Sequence, residues 1–210
     1  MGAAPGVDGN GGRSRWTRGM LLGLAAMIVA GCGTAPSPEP VPEPLRLLAE
    51  ATGAHTAVAE DVSGLAVAPT ERERKLAGIH IQRAAERVRE LRGRIEARTA
   101  DDPDSLMLAA IAASLSDTTA AATDLERVSA DFTDTGAPTI VRRARRRLEG
   151  SSDALASLLG DLRGTLGPEQ QAARRLADRV AGELEHGRRL VGGAGELAAV
   201  VEKSSAQARA

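Results

Sequence analysis

Few side chains in this sequence have the type and spacing that chemistry requires. The 210 residues include one cysteine, Cys32, and three histidines, His55, His80 and His186. A single cysteine excludes an internal disulfide framework and a cysteine-rich zinc site, because both need several thiols. No Gly-x-Ser-x-Gly elbow, phosphate-binding loop or paired-histidine metal motif is present. We therefore expect no enzymatic activity and no catalytic residues.

One short motif, Glu183-Leu184-Glu185-His186, has the Glu-x-x-His spacing of di-iron centres in ferritin-like bundles. Such a centre needs a second pair of the same kind and two further inward carboxylates. Neither His55 nor His80 has a glutamate three residues before it. The sequence therefore predicts no metal site and no cofactor. His55 instead lies on an apolar stripe, so we expect it to form hydrogen bonds between helices.

The densest charge cluster consists of five arginines within six residues: Arg142, Arg143, Arg145, Arg146 and Arg147. One interpretation is a patch that binds a partner, such as anionic lipid, teichoic acid or another polyanion. The alternative is a solvated face that pairs with acids of the preceding helix, namely Asp124, Glu126, Asp131 and Asp134. A helix N-terminus disfavours cations, which favours pairing. No aromatic residues interleave the arginines, so we expect no nucleic-acid partner.

The composition limits the function further. Aromatic residues make up 1% of the chain, with no tyrosine, which excludes stacking platforms, aromatic cages and sugar-binding clefts. The length of 210 residues is sufficient for one domain, or two small ones, with a real core. The apolar fraction is 42%, and the net charge is only -1.

The N-terminal region has the pattern of an export signal. Arg13, Arg15 and Arg18 precede an uncharged apolar run over residues 20–30. That run is shorter than the roughly 20 residues that span a membrane. Basic residues, a short apolar core and small residues are typical of a secretory signal peptide.

The run ends in Val29-Ala30-Gly31-Cys32, which resembles the lipobox of bacterial lipoproteins. The resemblance implies cleavage before Cys32 by the lipoprotein signal peptidase and acylation of the Cys32 thiol. Two or three acyl chains would anchor the protein durably to a membrane. An ordinary secreted protein, or an uncleaved short anchor, is the alternative, and the true start codon stays open.

The mature chain begins with a proline-rich segment and continues with helical periodicity. We assign residues 1–31 to the signal peptide and 32–44 to the lipidated cysteine and an extended spacer. A helical domain over 45–205 and a frayed tail over 206–210 follow. Apolar stripes with helical spacing predict a short first helix, whose stripe runs from Leu45 to Val62 and which ends before Pro69. Long helices follow near 70–99, 103–132 and 138–166, and the last begins at Pro168. Leu76 and Ile79 are assigned to the apolar stripe of the second helix.

Near-equal helices with short connections predict an all-α, up-down antiparallel bundle of four long helices plus the short first one, with coiled-coil-like packing. Charge supports this order. Residues 70–100 contain nine basic and five acidic side chains, 101–134 contain one and eight, and 138–166 contain six and three. The third and fourth helices should therefore pair. An extended coiled-coil oligomer is the competing architecture.

Together these features predict a lipid-anchored, non-enzymatic helical protein of the bacterial cell envelope that acts as a structural or protein-interaction module. The alternative is a module that binds a polyanion, a lipid or a small ligand. The location would be the outer membrane, facing the periplasm, or the outer face of the plasma membrane. The expected partners are the membrane through Cys32, an envelope protein or anionic polymer, or further copies of the chain.

Overall fold

The computed structural model describes residues 41–68, 70–99 and 104–209. They form five helices, namely α1 (Glu43–Ala66), α2 (Glu71–Thr99), α3 (Ser105–Ala130), α4 (Ala137–Thr165) and α5 (Gln171–Gln207). These ranges contain no strand, and the helices pack against one another, which confirms the all-α helical bundle. The predicted signal peptide and Cys32 lie outside the described residues.

Local signals in the sequence account for the helix boundaries. At the start of α2, the Thr70 amide donates to the Glu73 carboxylate over 3.1 Å, and the Glu73 amide donates to the Thr70 hydroxyl over 3.2 Å. This reciprocal pair is a capping box. Pro44 and Pro138 stand in the first turns of α1 and α4, where their missing amide hydrogens cost nothing.

The first helix is longer and more deeply placed than the sequence predicts. It has 24 residues, begins inside the predicted spacer, and packs against all four other helices. Residues 51–59 carry no charge. A helix that is surrounded by neighbours must be apolar over more than one stripe, and Leu47, Val58 and Leu65 extend its buried surface beyond the predicted face. α1 is therefore the central helix of the bundle.

Contacts between side chains establish the helix directions. Arg98 near the end of α2 pairs with Glu43 at the start of α1, so these two helices are antiparallel. Across α3 and α4, Thr118 meets Ser151 and the later Asp124 meets the earlier Arg143, so these helices are also antiparallel, as predicted. The α1 residue Thr56 reaches the Glu183 carbonyl of α5. Further along both helices, Ser63 lies beside Gly193, so α1 and α5 are parallel neighbours.

The last helix, α5, departs from the predicted helix and tail in smaller ways. Each glycine in a helix costs about 1 kcal/mol relative to alanine, yet α5 continues through glycines 192, 193 and 195 as one helix from Gln171 to Gln207. It therefore extends into the predicted frayed tail. A methyl group at Gly187 would lie 3.0 Å from the Thr56 hydroxyl, so the absent side chain allows α5 to approach α1 closely.

Among the described residues, α3 alone is long and apolar enough to cross a membrane, with a mean hydropathy of 1.3 over its best window. Its predicted stripe, from Leu108 through Leu125 to Phe132, is buried in the bundle. Packing against α2 and α4 therefore accounts for much of its apolar composition.

Candidate functional site

The most unusual interior feature is a layer of polar side chains around His55, at the middle of α1. His55 is fully buried, and its Nδ1 lies 3.0 Å from the Thr118 hydroxyl of α3. Its Nε2 lies 2.7 Å from the Ser152 hydroxyl of α4. The Thr118 hydroxyl also lies 2.9 Å from that of Ser151. The imidazole thus joins three helices, which confirms that His55 is an interhelical, hydrogen-bonded histidine. We call these residues the polar layer.

The hydrogens in the polar layer favour one form of the imidazole. The carbonyl oxygen of Ser114 accepts from the Thr118 and Ser151 hydroxyls, at 3.1 and 2.9 Å. If Thr118 donates there, its oxygen is free to accept from His55. A neutral ring that is protonated on Nδ1 then donates to Thr118 and accepts from Ser152 at Nε2. This tautomer, assigned from the network, uses every hydroxyl hydrogen once.

Burial also determines the charge of this ring. Desolvation lowers the pKa of His55 from 6.5 to about 4. The atoms that contact the two ring nitrogens are hydroxyl oxygens, and none is a carboxylate. The ring is therefore neutral at neutral pH and has no contact with solvent, which suits it to holding helices in register.

One hydroxyl beside the polar layer differs from the others. The Thr52 Oγ1 atom lies one turn before His55 on α1, is buried, and has no hydrogen-bond partner within the described part of the chain. Leaving a buried hydroxyl unpaired costs about 1–3 kcal/mol. Thr52 is thus a local source of instability beside the polar layer, whose own hydroxyls are paired.

The arginine cluster lies at the start of α4, and most of its members have partners. Arg143 donates two hydrogen bonds to the Asp124 carboxylate of α3, at 3.0 and 2.7 Å, and Arg147 donates to the same carboxylate at 2.9 Å. Arg145 pairs with Glu149 at 2.8 Å. The predicted pairing with Asp124 is therefore confirmed. The exposed Arg145–Glu149 pair contributes about 0–1 kcal/mol.

The two remaining arginines of the cluster face outward. Arg142 donates from Nε to the Pro138 carbonyl of its own helix, at 3.2 Å. Arg146 is exposed and forms no ion pair with any residue in the described ranges. The patch available to a polyanion is accordingly smaller than five arginines in a row imply.

The Glu-x-x-His motif lies on the surface of α5. Glu183 and His186 are both exposed, and His186 Nε2 is 3.5 Å from a Glu60 carboxylate oxygen of α1. The motif therefore does not face the bundle interior, where a di-iron centre would bind. Within the described residues, no three His, Cys, Asp or Glu side chains are grouped as a metal site.

A surface stripe on α2 was not anticipated as a site. Leu76 and Ile79 were assigned to the core stripe, and this prediction is wrong, because they are 49% and 43% exposed. At 3.6 residues per turn they lie about 150° around the helix from the buried set that includes Ile81 and Val88. They line one side of an open depression of about 620 Å³. The sequence contained a signal for this, because five residues separate Ile79 from Ala84, and that step breaks the 3-4 spacing of a single helix face.

Charged and polar residues border this apolar pair. Arg72 and Arg83 precede and follow it by one turn on the same face, and both are exposed. Neither guanidinium forms a hydrogen bond or an ion pair with residues of the described ranges, whereas Lys75 pairs with Glu71 at 2.6 Å. We call Arg72, Leu76, Ile79 and Arg83 the α2 stripe.

His80, which lies between Ile79 and Arg83 in the sequence, shows where the α2 stripe lies along the bundle. Its Nδ1 is 3.9 Å from the Asp61 carboxylate, near the C-terminal end of α1. Partial burial raises the pKa of Asp61, and the adjacent His80 opposes that change. The α2 stripe is therefore near the end of the bundle opposite the N-terminus of α1, which we call the tip.

Comparisons with protein families, with curated proteins and with solved structures give no match to this chain.

Proposed function

We propose that this protein is a lipid-anchored, non-enzymatic module of the cell envelope, held through Cys32, whose helical bundle serves in structure or protein interaction. The observation that carries the proposal is the position of α1. This helix follows the lipobox and the proline-rich segment in the sequence, and it contacts all four other helices. A chain that is anchored before α1 would be held by the helix that packs most widely.

Further support comes from the placement of the polar residues. The polar layer is closed to solvent and mutually hydrogen-bonded, so it maintains register between helices. The surface histidines, His80 and His186, lie beside single carboxylates. The exposed α2 stripe is near the tip, roughly 30 Å along α1 from its first residue. An anchored bundle with a contact surface at its far end is suited to interaction away from the membrane.

The anchoring half of the proposal is tested by Cys32→Ser in cells, followed by fractionation and a mobility assay for signal cleavage. We expect the variant to remain unprocessed or to be released, because the residue that carries the lipid is gone. A variant that is cleaved and retained on the membrane like the wild type would refute the anchor.

The non-enzymatic half needs a different variant, in which His80, Glu183 and His186 are all changed to glutamine. These exposed groups are the solvent-accessible histidines and the glutamate of the Glu-x-x-His motif. We expect this variant to restore any phenotype of the gene deletion, whereas Cys32→Ser does not. Loss of rescue by a variant that folds and is anchored normally would favour catalysis or metal binding.

A further inference from the structure

We infer that the α2 stripe is a docking surface for an acidic amphipathic helix of a partner protein. The stripe has two large aliphatic side chains in its centre and an arginine at each end. These four positions are separated by four, three and four residues, so they follow one face of α2 over about 17 Å. That length matches about three turns of a helix that packs alongside.

The exposure of Leu76 and Ile79 indicates that no other helix of the described bundle packs on this face of α2. Most of the large aliphatic side chains on α2 are buried, whereas Leu76 and Ile79 retain 49% and 43% of their exposure. Two such residues one turn apart on the face opposite the core are suited to an i, i+3, i+4 apolar seam on another helix.

The arginines at the two ends of the stripe indicate which kind of partner helix would bind there. Arg72 and Arg83 have no acidic partner in the described ranges, and Glu86, which is nearby on the same helix, lies within 3.4 Å of the Gln82 amide. A helix with aliphatic residues in its centre and glutamate or aspartate toward both ends would pair with the two guanidinium groups. Carboxylates match the planar donor arrangement of arginine.

A second copy of this chain fits the stripe less well. Two stripes related by a two-fold axis would pack antiparallel, with Arg72 of one copy beside Arg83 of the other, or parallel, with each arginine beside its own copy. Like charges would then meet at both ends of the seam. The preference for a protein over the bilayer rests on the proposed anchoring, because the stripe is near the tip, away from the N-terminus of α1.

The test measures binding of two fluorescent peptides to the anchored full chain in phosphatidylcholine nanodiscs. The first is a helical peptide of about 18 residues with leucines at i, i+3, i+4 and i+7 and flanking glutamates. The second has lysine in place of each glutamate. We expect the acidic peptide to bind with a micromolar Kd and the basic peptide to bind at least tenfold more weakly.

Variants make the test specific to the stripe. Leu76→Asp combined with Ile79→Asp should weaken binding of the acidic peptide at least tenfold. Arg72→Glu combined with Arg83→Glu should reverse the preference, so that the basic peptide binds more tightly. Val200→Asp is the matched control for the apolar change, because Val200 is 40% exposed on α5. Arg89→Glu, on another face of α2, is the control for the charge change.

Several results would overturn the inference. These are equal binding of both peptides, binding of neither, or an equal loss in the control variants. Binding of phosphatidylglycerol vesicles that the stripe variants abolish, without peptide binding, would assign the stripe to a membrane. Self-association abolished by the same variants would assign it to a second copy. Because the same peptides can also be measured against the full-length Cys32→Ser chain in solution, where no acylation is needed, a failed anchoring experiment and a failed peptide experiment are distinguishable.

Discussion

The buried His55 predicts a specific loss of stability in acid. The imidazole has a pKa of about 4 in the folded protein and 6.5 in an unfolded chain. Between these values the unfolded chain binds more protons, so the free energy of unfolding falls as pH falls. The contribution is fully present above pH 6.5, declines between pH 6.5 and 4, and is lost below pH 4.

The magnitude follows from the difference between the two pKa values. At 1.36 kcal/mol per pH unit, the change from 6.5 to about 4 corresponds to about 3 kcal/mol. That is a large part of the 5–15 kcal/mol by which a typical domain is stable. The polar layer is therefore a main source of the acid sensitivity of this bundle's stability.

The assay compares urea unfolding of the wild type and His55→Gln from pH 7.5 to pH 4, followed by circular dichroism. Glutamine can hydrogen-bond to both Thr118 and Ser152 but does not titrate in this range. We expect the wild type to be the more stable protein at pH 7.5, with its advantage shrinking by about 3 kcal/mol on acidification. Subtracting the two curves cancels the contribution of the carboxylates.

Variants of the exposed histidines serve as controls, and an NMR titration tests the pKa of His55 directly. His80→Gln and His186→Gln, at exposed histidines, should leave most of the acid-dependent loss in place. An NMR titration should show the His55 ring neutral down to about pH 5. A His55 signal that titrates near 6.5, or a wild-type advantage that does not change with pH, would refute the reasoning.

Two further predictions concern the bundle. Thr52→Val should raise the free energy of unfolding by about 1 kcal/mol because it removes an unpaired buried hydroxyl, whereas Thr118→Val should lower it by about 1–3 kcal/mol because His55 loses a partner. Denaturant unfolding of both variants checks these opposite signs, and equal effects would contradict the description of Thr52 as unpaired and Thr118 as paired. Replacing Arg142, Arg143 and Arg146 with glutamine should shift the melting temperature little and weaken adhesion to phosphatidylglycerol vesicles only slightly, because acidic neighbours already offset much of the positive charge of the cluster. Salt-sensitive vesicle binding that disappears in the triple variant would instead favour a polyanion-binding module.

The sequence predicted the helices well where one face of each is buried. The α3 stripe is regular and every member is buried, and the Thr70–Glu73 box marks the start of α2. It failed for α1, because a single stripe implies one buried face, whereas the centre of a five-helix bundle needs more. Periodicity identifies an apolar face, but only the tertiary arrangement determines whether another helix covers it.

The same limit applies to the site residues. Thr118 and Ser151 lie within the third and fourth predicted helices, and the interhelical role of His55 was expected. Which hydroxyl meets which ring nitrogen depends on the register between α1, α3 and α4, and a single sequence does not encode register in a readable pattern. The pairing of Asp124 with the arginine cluster was predictable because a short loop restricts two oppositely charged helices to one arrangement.

The parallel packing of α1 against α5 has a consequence for the order of folding. Thr56 and the Glu183 carbonyl are 127 residues apart in sequence, yet they meet in the bundle. During synthesis the first helix therefore emerges long before the last helix that covers it. Contacts between residues this far apart form slowly, because a long loop must close first. Until α5 arrives, one side of α1 has no partner, so the native bundle closes only when the final helix has been made.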